Sequence, residues 1–257
     1  MEAVAQFLGV ESDGVVARVV LKRPPLNIFT IEMLGELNRV LRQLHHDEPL
    51  RALLLAAEGK AFSAGVAVED HLPDKAGRML SVFHETFRLL RSFPCPVISA
   101  VQGPALGGGC ELACFADLVI ASESATFGQP EVKLGVFPPI AALHFPHRIG
   151  LARTLQLLLT GDVISAREAE RIGLIDRVAA PDQFPATVES AVHAFREKSG
   201  PALRLTKRAV LAGFGRDFEA GLREVEGLFF GELMKTEDAP EGLRSFLEKR
   251  APVWKHR

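Results

Sequence analysis

The stretch that decides the fold runs Pro96-Val-Ile-Ser-Ala-Val-Gln-Gly103, then Pro-Ala-Leu-Gly-Gly-Gly109, then Cys110-Glu111-Leu-Ala113. Val97, Ile98 and Val101 are β-branched, and the run is short and apolar, so it reads as a buried strand. Three consecutive glycines then allow backbone conformations closed to other residues and a close approach to a ligand. A helix starting at this turn directs free N–H groups and the positive end of its dipole at whatever lies above it. Glu111 falls just inside that helix. A second apolar run, Asp117-Leu-Val-Ile-Ala-Ser122, reads as the next strand, and Ala125-Thr-Phe-Gly-Gln-Pro-Glu131 brings a second carboxylate onto a turn that proline stiffens. Glu131 follows Glu111 by 20 residues. Two carboxylates on rigid turns beside backbone donors suit general acid/base work on a substrate that forms an enolate.

Outward from this centre the pattern alternates. Val4 to Val10 and Val15 to Leu21 are β-rich, with Asp13-Gly14 as a hairpin signal between them. Leu34, Leu37, Leu41 and Leu44 recur at helical spacing, predicting a helix over 31–46. Ala52 to Ala56 reads as a short buried strand, and Gly59 to Asp74 as a loop. Met79 or Leu80 with Phe83, Phe87 and Leu90 forms another helical stripe, which Pro94 and Pro96 end. Past Pro139 the chain reads as mostly helical. Ser165-Ala-Arg-Glu168 is a capping box whose helix ends at Gly173, and Leu174 to Val178 reads as a strand. Helical patterns near 183–197, 202–213, 216–234 and 240–250 close the chain. Strand and helix alternate over the first two thirds, so the fold class is α/β.

The chain has 257 residues, 47% hydrophobic and 24% charged, which fits one large globular domain or one domain with an extension. A net charge of −2 does not call for nucleic acid or a membrane surface as partner. No run nears the roughly 20 apolar residues of a membrane span. Met1-Glu-Ala-Val-Ala-Gln-Phe7 reads as neither signal nor transit peptide, so a cytoplasmic location is expected. Cys95, Cys110 and Cys114 are an odd, small set, read as reduced structural thiols, and no metal site is expected. His45-His46 read as surface residues, and His144 with His147 lack a metal-ligand context. Gly-x-Gly-x-x-Gly, the phosphate-loop motif and the Gly-x-Ser-x-Gly nucleophile elbow are all absent.

Ala-Leu-Gly-Gly-Gly-Cys-Glu111, Phe-Gly-Gln-Pro-Glu131 and Lys60-Ala-Phe-Ser-Ala-Gly65 together resemble the signature blocks of the enoyl-CoA hydratase/isomerase (crotonase) family, over nearly the whole chain. The resemblance implies a crotonase-like spiral of ββα units over 1–195 and a helical C-terminal region over 196–257 that trimerises and covers the site. It implies an acyl-CoA thioester substrate, no separate cofactor, and a homotrimer or a hexamer built from trimers. It also implies Glu111 and Glu131 as acid/base groups around one water, and the backbone N–H groups of Ala64 and Gly108 as the oxyanion hole. Lys22, Arg23, Ala64 and Lys249 become candidates for CoA contacts, Lys249 toward a neighbouring subunit. Related isomerases typically keep one acid/base carboxylate, so the presence of two favours hydration.

After Glu131 the sequence departs from common hydratases, which continue Pro-Gly-x-Gly-Gly. Here it reads Gly135-Val-Phe-Pro-Pro-Ile-Ala-Ala142, and Val66, Phe137 and Pro139 are the candidates for a reshaped acyl pocket. Three stretches resemble a narrower group, the cyclohexa-1,5-diene-1-carbonyl-CoA hydratases: Val68 to Asp74, Gly128 to Phe137 and Glu241 to Trp254. The expected reaction is hydration of that cyclic dienoyl-CoA to 6-hydroxycyclohex-1-ene-1-carbonyl-CoA. A straight-chain enoyl-CoA hydratase and a CoA- or RNA-binding scaffold are the alternatives.

Overall fold

The computed structural model describes residues 6–46 and 50–257. The expectation of a strand beginning at Val4 therefore lies partly outside the described residues. Strands β1 (Leu8–Ser12) and β2 (Val16–Leu21) form the hairpin that Asp13-Gly14 signals, pairing antiparallel with Leu8 opposite Leu21. Asp13 Oδ1 accepts from the N–H groups of Val15 and Val16, and Gly14 takes φ +80°. Helix α1 (Ile31–His45) starts at Thr30, whose hydroxyl accepts from Met33 N–H. Then come β3 (Ala52–Ala57), α2 (Ala76–Arg91), β4 (Val97–Val101), β5 (Ala105–Leu106), α3 (Gly108–Cys114), β6 (Leu118–Ser122) and β7 (Thr126–Gly128). Helix α4 (Pro139–Thr160), β8 (Val163–Ser165), α5 (Ala166–Arg171), β9 (Arg177–Ala179), α6 (Phe184–Arg196), α7 (Gly200–Gly213), α8 (Phe218–Gly231) and α9 (Asp238–Leu247) complete the order.

The main sheet has six strands in the order β1-β2-β3-β4-β6-β9, parallel from β2 onward. Strand alternation divides its side chains between two cores. Val19, Leu21, Leu53, Leu55, Val97, Val101 and Val119 join α1 and α2 through Leu34, Leu37, Leu41, Phe83 and Phe87. Val16, Leu54, Ile98 and Ile120 face the other way, against Val188 and Val192 of α6. Each fully buried large apolar side chain contributes roughly 1.5–3 kcal/mol, so the sheet is held from both faces. A second, three-stranded sheet, β5-β7-β8, stands beside it and carries the turns that form the site.

Several boundaries differ from the sequence reading. Leu174 and Ile175 are core residues of a loop rather than a strand, because α5 ends by donating Leu174 N–H and Ile175 N–H back to Ala169 O; the strand is Arg177–Ala179. The pattern over 216–234 breaks into α8 and a 3₁₀ turn, Leu233–Lys235. Half of the capping box forms: Ser165 Oγ accepts from Glu168 N–H at 3.2 Å, while the Glu168 carboxylate accepts from Arg171 instead of reaching back to the cap. Within the loop over 59–74, Val68–His71 forms a 3₁₀ turn. The three cysteines are buried and free, and Cys110 Sγ lies 4.0 Å from Cys114 Sγ.

The C-terminal tail is tied down. Asp238, 2% exposed, accepts from Lys255 N–H at 2.6 Å and His256 N–H at 3.1 Å, and Trp254 Nε1–H donates to Glu197 O at 2.9 Å. Among the described residues no helix is long and apolar enough to cross a membrane.

Candidate active site

The parallel strand β4 ends beside α3, and the glycine turn between them sets where α3 points. Gly107 takes φ +52° and ψ −131°, a conformation open essentially to glycine alone. A Cβ there would lie 2.7 Å from Glu131 Oε1, so the absent side chain is what lets the second carboxylate come close. A Cβ on Gly108 would meet Val66 Cγ2 at 2.8 Å and Phe83 Cζ at 3.1 Å, which fixes loop 64–66 and α2 against the helix start.

Glu111 is 2% exposed. Its Oε1 accepts from Ala141 N–H at 2.7 Å, in the first turn of α4, whose own N-cap, Pro138, supplies no side-chain acceptor. The carboxylate therefore caps a second helix from outside. Burial nevertheless dominates and pushes Glu111 up to about 8, with the Ala141 bond pulling the other way and the Glu131 charge adding to the rise. Glu131 opens a 3₁₀ turn, Pro130–Leu134, that Gly135 closes in the left-handed region at φ +77°. Burial pushes Glu131 up to about 7. Gln129 is fully buried, and with its amide nitrogen turned toward Glu131 it donates to both carboxylate oxygens at 3.1 Å.

Both glutamates line one cleft with a cavity of about 140 Å³. One wall comes from Ala64, Gly65, Val66, Val68 and His71 with Met79, Leu80 and Phe83 of α2; the other comes from Pro130 to Pro139. Gly107 and Gly108 complete the lining. The three expected acyl-pocket residues, Val66, Phe137 and Pro139, all belong to it, and Phe137 is 71% exposed.

The Ala64 expectation needs correction. Its N–H is already committed, donating to Leu26 O at 2.9 Å. Two residues on, Val66 forms an isolated parallel bridge with Phe29 in which Phe29 N–H donates to Gly65 O and Ala67 N–H to Phe29 O. In that pattern the N–H of Val66 itself points away from Phe29. It has no acceptor among the described residues, and neither does Gly108 N–H, at the helix start where orphan donors are intrinsic. The free pair beside the cleft is Val66 and Gly108. Sequence reading missed this because only the strand-like alternation of loop 63–67 tells which N–H faces the cleft. It also missed His71 and Gln129, which carry no periodic signal.

The basic candidates lie elsewhere. Lys22 pairs with Glu58 at 3.1 Å, and Arg23 Nη1 donates to Ile28 O at 2.5 Å. Lys249 is exposed just past α9 with φ +54°. None of the three lines the cleft. Among the described residues no group of three or more His, Cys, Asp or Glu could hold a metal ion. His144 Nε2–H donates to Cys114 O at 3.2 Å, and burial lowers its pKa to about 4.

With this geometry in place, comparison with known proteins gives a consistent result. Residues 11–257 match the enoyl-CoA hydratase/isomerase family, and the chain belongs to it. It is an enzyme of the enoyl-CoA hydratase type, a hydro-lyase with the crotonase fold. A cyclohexa-1,5-dienecarbonyl-CoA hydratase of Thauera aromatica is 39% identical over 96% of this chain and 95% of that protein. A short-chain-enoyl-CoA hydratase of Clostridium acetobutylicum is 35% identical over 93% of this chain and 94% of that one. A solved enoyl-CoA hydratase from Bacillus anthracis superposes with a TM-score of 0.92 at 31% identity, covering 98% of this chain and all of that one (100%).

Proposed function

We propose that the chain hydrates a conjugated cyclic dienoyl-CoA, converting cyclohexa-1,5-diene-1-carbonyl-CoA to 6-hydroxycyclohex-1-ene-1-carbonyl-CoA. The observation that carries the hydration chemistry is the pair Glu111 and Glu131 lining one cleft beside two free N–H groups. The thioester oxygen lies between Val66 N–H and Gly108 N–H. As water attacks the β-carbon, charge moves to that oxygen, and each preorganised donor is worth about 2.7–4 kcal/mol. The two carboxyl groups hold the water. With burial pushing them to about 7 and about 8, the pair carries one proton between those values, so one carboxylate can take the water proton while its neighbour remains an acid. Gln129 keeps the Glu131 carboxylate aimed.

Two observations support the cyclic acyl group. The cyclohexa-1,5-dienecarbonyl-CoA hydratase of Thauera aromatica is 39% identical over 96% of this chain. The cavity of about 140 Å³ is close to the ~150 Å³ apolar cavity known to hold benzene, so a flat six-membered ring fits. CoA itself is part of the substrate. Its phosphates are assigned to Lys22 and Arg23 and, across a trimer contact formed by the helices over 196–257, to Lys249 of a neighbouring copy.

The test is water addition to cyclohexa-1,5-diene-1-carbonyl-CoA and to crotonyl-CoA by the wild type, Glu111→Gln and Glu131→Gln. Turnover of the cyclic diene that collapses in both variants is expected. A preference for crotonyl-CoA overturns the substrate and keeps the mechanism. Tight binding of either ester without turnover overturns the mechanism.

A further inference from the structure

Among the described residues, only three of the side chains that line the cleft are polar: Glu111, Glu131 and His71. Everything else is glycine, alanine, proline, methionine, phenylalanine, valine or leucine, so an imidazole in this lining stands out chemically. It is also held in place. His71 ends the 3₁₀ turn Val68–His71, and the turn is pinned from behind by Asp70, 8% exposed, whose carboxylate accepts from Ile31 N–H at 3.2 Å and lies 3.8 Å from Lys75 Nζ. The ring is oriented by one contact, Nδ1 to Ala67 O at 2.9 Å. A carbonyl only accepts, so Nδ1 carries the hydrogen. Nε2 is thereby left as the lone-pair nitrogen and has no partner among the described residues.

The chemistry of the proposed substrate leaves a place for such a group. In an ordinary enoyl thioester the hydroxyl and the proton arrive on neighbouring carbons, and two carboxyl groups sharing one water serve both. In the cyclic diene, hydroxide adds at one β-carbon, but the resulting dienolate takes its proton at the vinylogous carbon on the opposite side of the ring. We infer that His71 is the third proton-exchanging group of the cleft and serves that far carbon. The inference rests on the cyclic-substrate reading.

The step balances as follows. Water oxygen bonds to the β-carbon while an ionised glutamate removes one water proton, and the electrons of the β-carbon's double bond pass toward the thioester oxygen. Protonated His71 then gives its Nε2 proton to the far carbon, the dienolate collapses to the conjugated enoyl thioester, and the ring double bond lies between the α-carbon and the other β-carbon. The proton held by glutamate returns to His71 Nε2 through solvent. One water is consumed and nothing is oxidised or reduced. Nδ1–H keeps its bond to Ala67 O in both ring states, so the side chain changes charge without losing its anchor.

The experiment compares wild type, His71→Gln and His71→Ala on the cyclic dienoyl-CoA and on crotonyl-CoA, with kcat and KM separated and melting curves recorded for each. Loss of a general acid costs about 10²–10⁴-fold, so the cyclic-to-linear ratio of kcat should fall at least ~10²-fold with the change in kcat rather than KM. The wild type should also exchange the far ring hydrogen of the hydroxylated product with D₂O, His71→Ala should lose that exchange, and added imidazole should restore it. An unchanged ratio, or equal loss on both substrates without imidazole rescue, overturns the role of His71 and leaves the substrate reading standing. A wild type that hydrates only crotonyl-CoA overturns the substrate reading itself.

Discussion

Gly107→Ala isolates the coupling between backbone and carboxylate at the centre of the site. An alanine here must hold φ +52°, ψ −131°, a region that costs a non-glycine residue on the order of 1–3 kcal/mol. For a chain of this size each kcal/mol lowers Tm by about 2–4 °C, so the variant should melt roughly 2–12 °C early and still be folded at 25 °C. The functional effect is separate. The new Cβ would sit 2.7 Å from Glu131 Oε1, where ordinary contact begins at 3.4 Å, so the carboxylate must retreat by about 0.7 Å. A misplacement of about 1 Å costs on the order of 10²-fold, so kcat should fall by a few tens to 10²-fold. The assay is steady-state hydration at saturating substrate, repeated in a Glu131→Gln background. There the same alanine should cost little further activity, because the aim of that carboxylate no longer matters. Full activity in the single variant, or the same fractional loss in both backgrounds, would refute the argument.

Four further outcomes follow from the same geometry. Glu111→Gln should lower kcat by about 10²–10⁴-fold yet fold normally, since the amide oxygen still accepts from Ala141 N–H, whereas Glu111→Ala should also melt earlier; activity and melting measured together distinguish the two. Glu111 binds its proton more tightly folded, about 8, than at its ordinary 4.5, so its contribution to stability is greatest below 4.5 and is lost as pH rises from there through about 8; Tm against pH should fall less steeply over that window in Glu111→Gln. The kcat/KM profile should be bell-shaped with its maximum between about 7 and about 8, and Glu131→Gln should abolish the bell. An amide-to-ester replacement at Val66 should cost about 10²–10³-fold in kcat, while the same replacement at Ala64 removes only the bond to Leu26 O and leaves kcat much higher.

The fold was legible where local chemistry and burial agree. The β-branched run Val97 to Val101, the Asp13-Gly14 turn and the leucine stripe of α1 each encode their element in a few residues, and each forms where it was read. Leu174 and Ile175 misled because an apolar pair is buried equally well by a loop as by a strand, and the choice was made by one carbonyl of α5, Ala169 O, that no periodicity reports. At the site, residue types were readable and directions were not. Glu111 and Glu131 line the cleft that the sequence assigned them to, but which of Ala64 and Val66 turns its N–H inward depends on a bridge to Phe29, far away in sequence. His71 and Gln129 sit on turns whose aim is set by long-range contacts, Asp70 to Ile31 and Gly107 to Gly128.

The bond from Ala141 N–H to Glu111 Oε1 has a practical consequence. The amide is a built-in reporter: it feels a full negative charge when Glu111 is ionised and a neutral acceptor when it is not. A nitrogen-15 resonance at this single position therefore titrates with the buried carboxyl group and follows its charge through ligand binding, with no probe added to the cleft. The helix that packs against the reacting group thus carries a spectroscopic record of its proton.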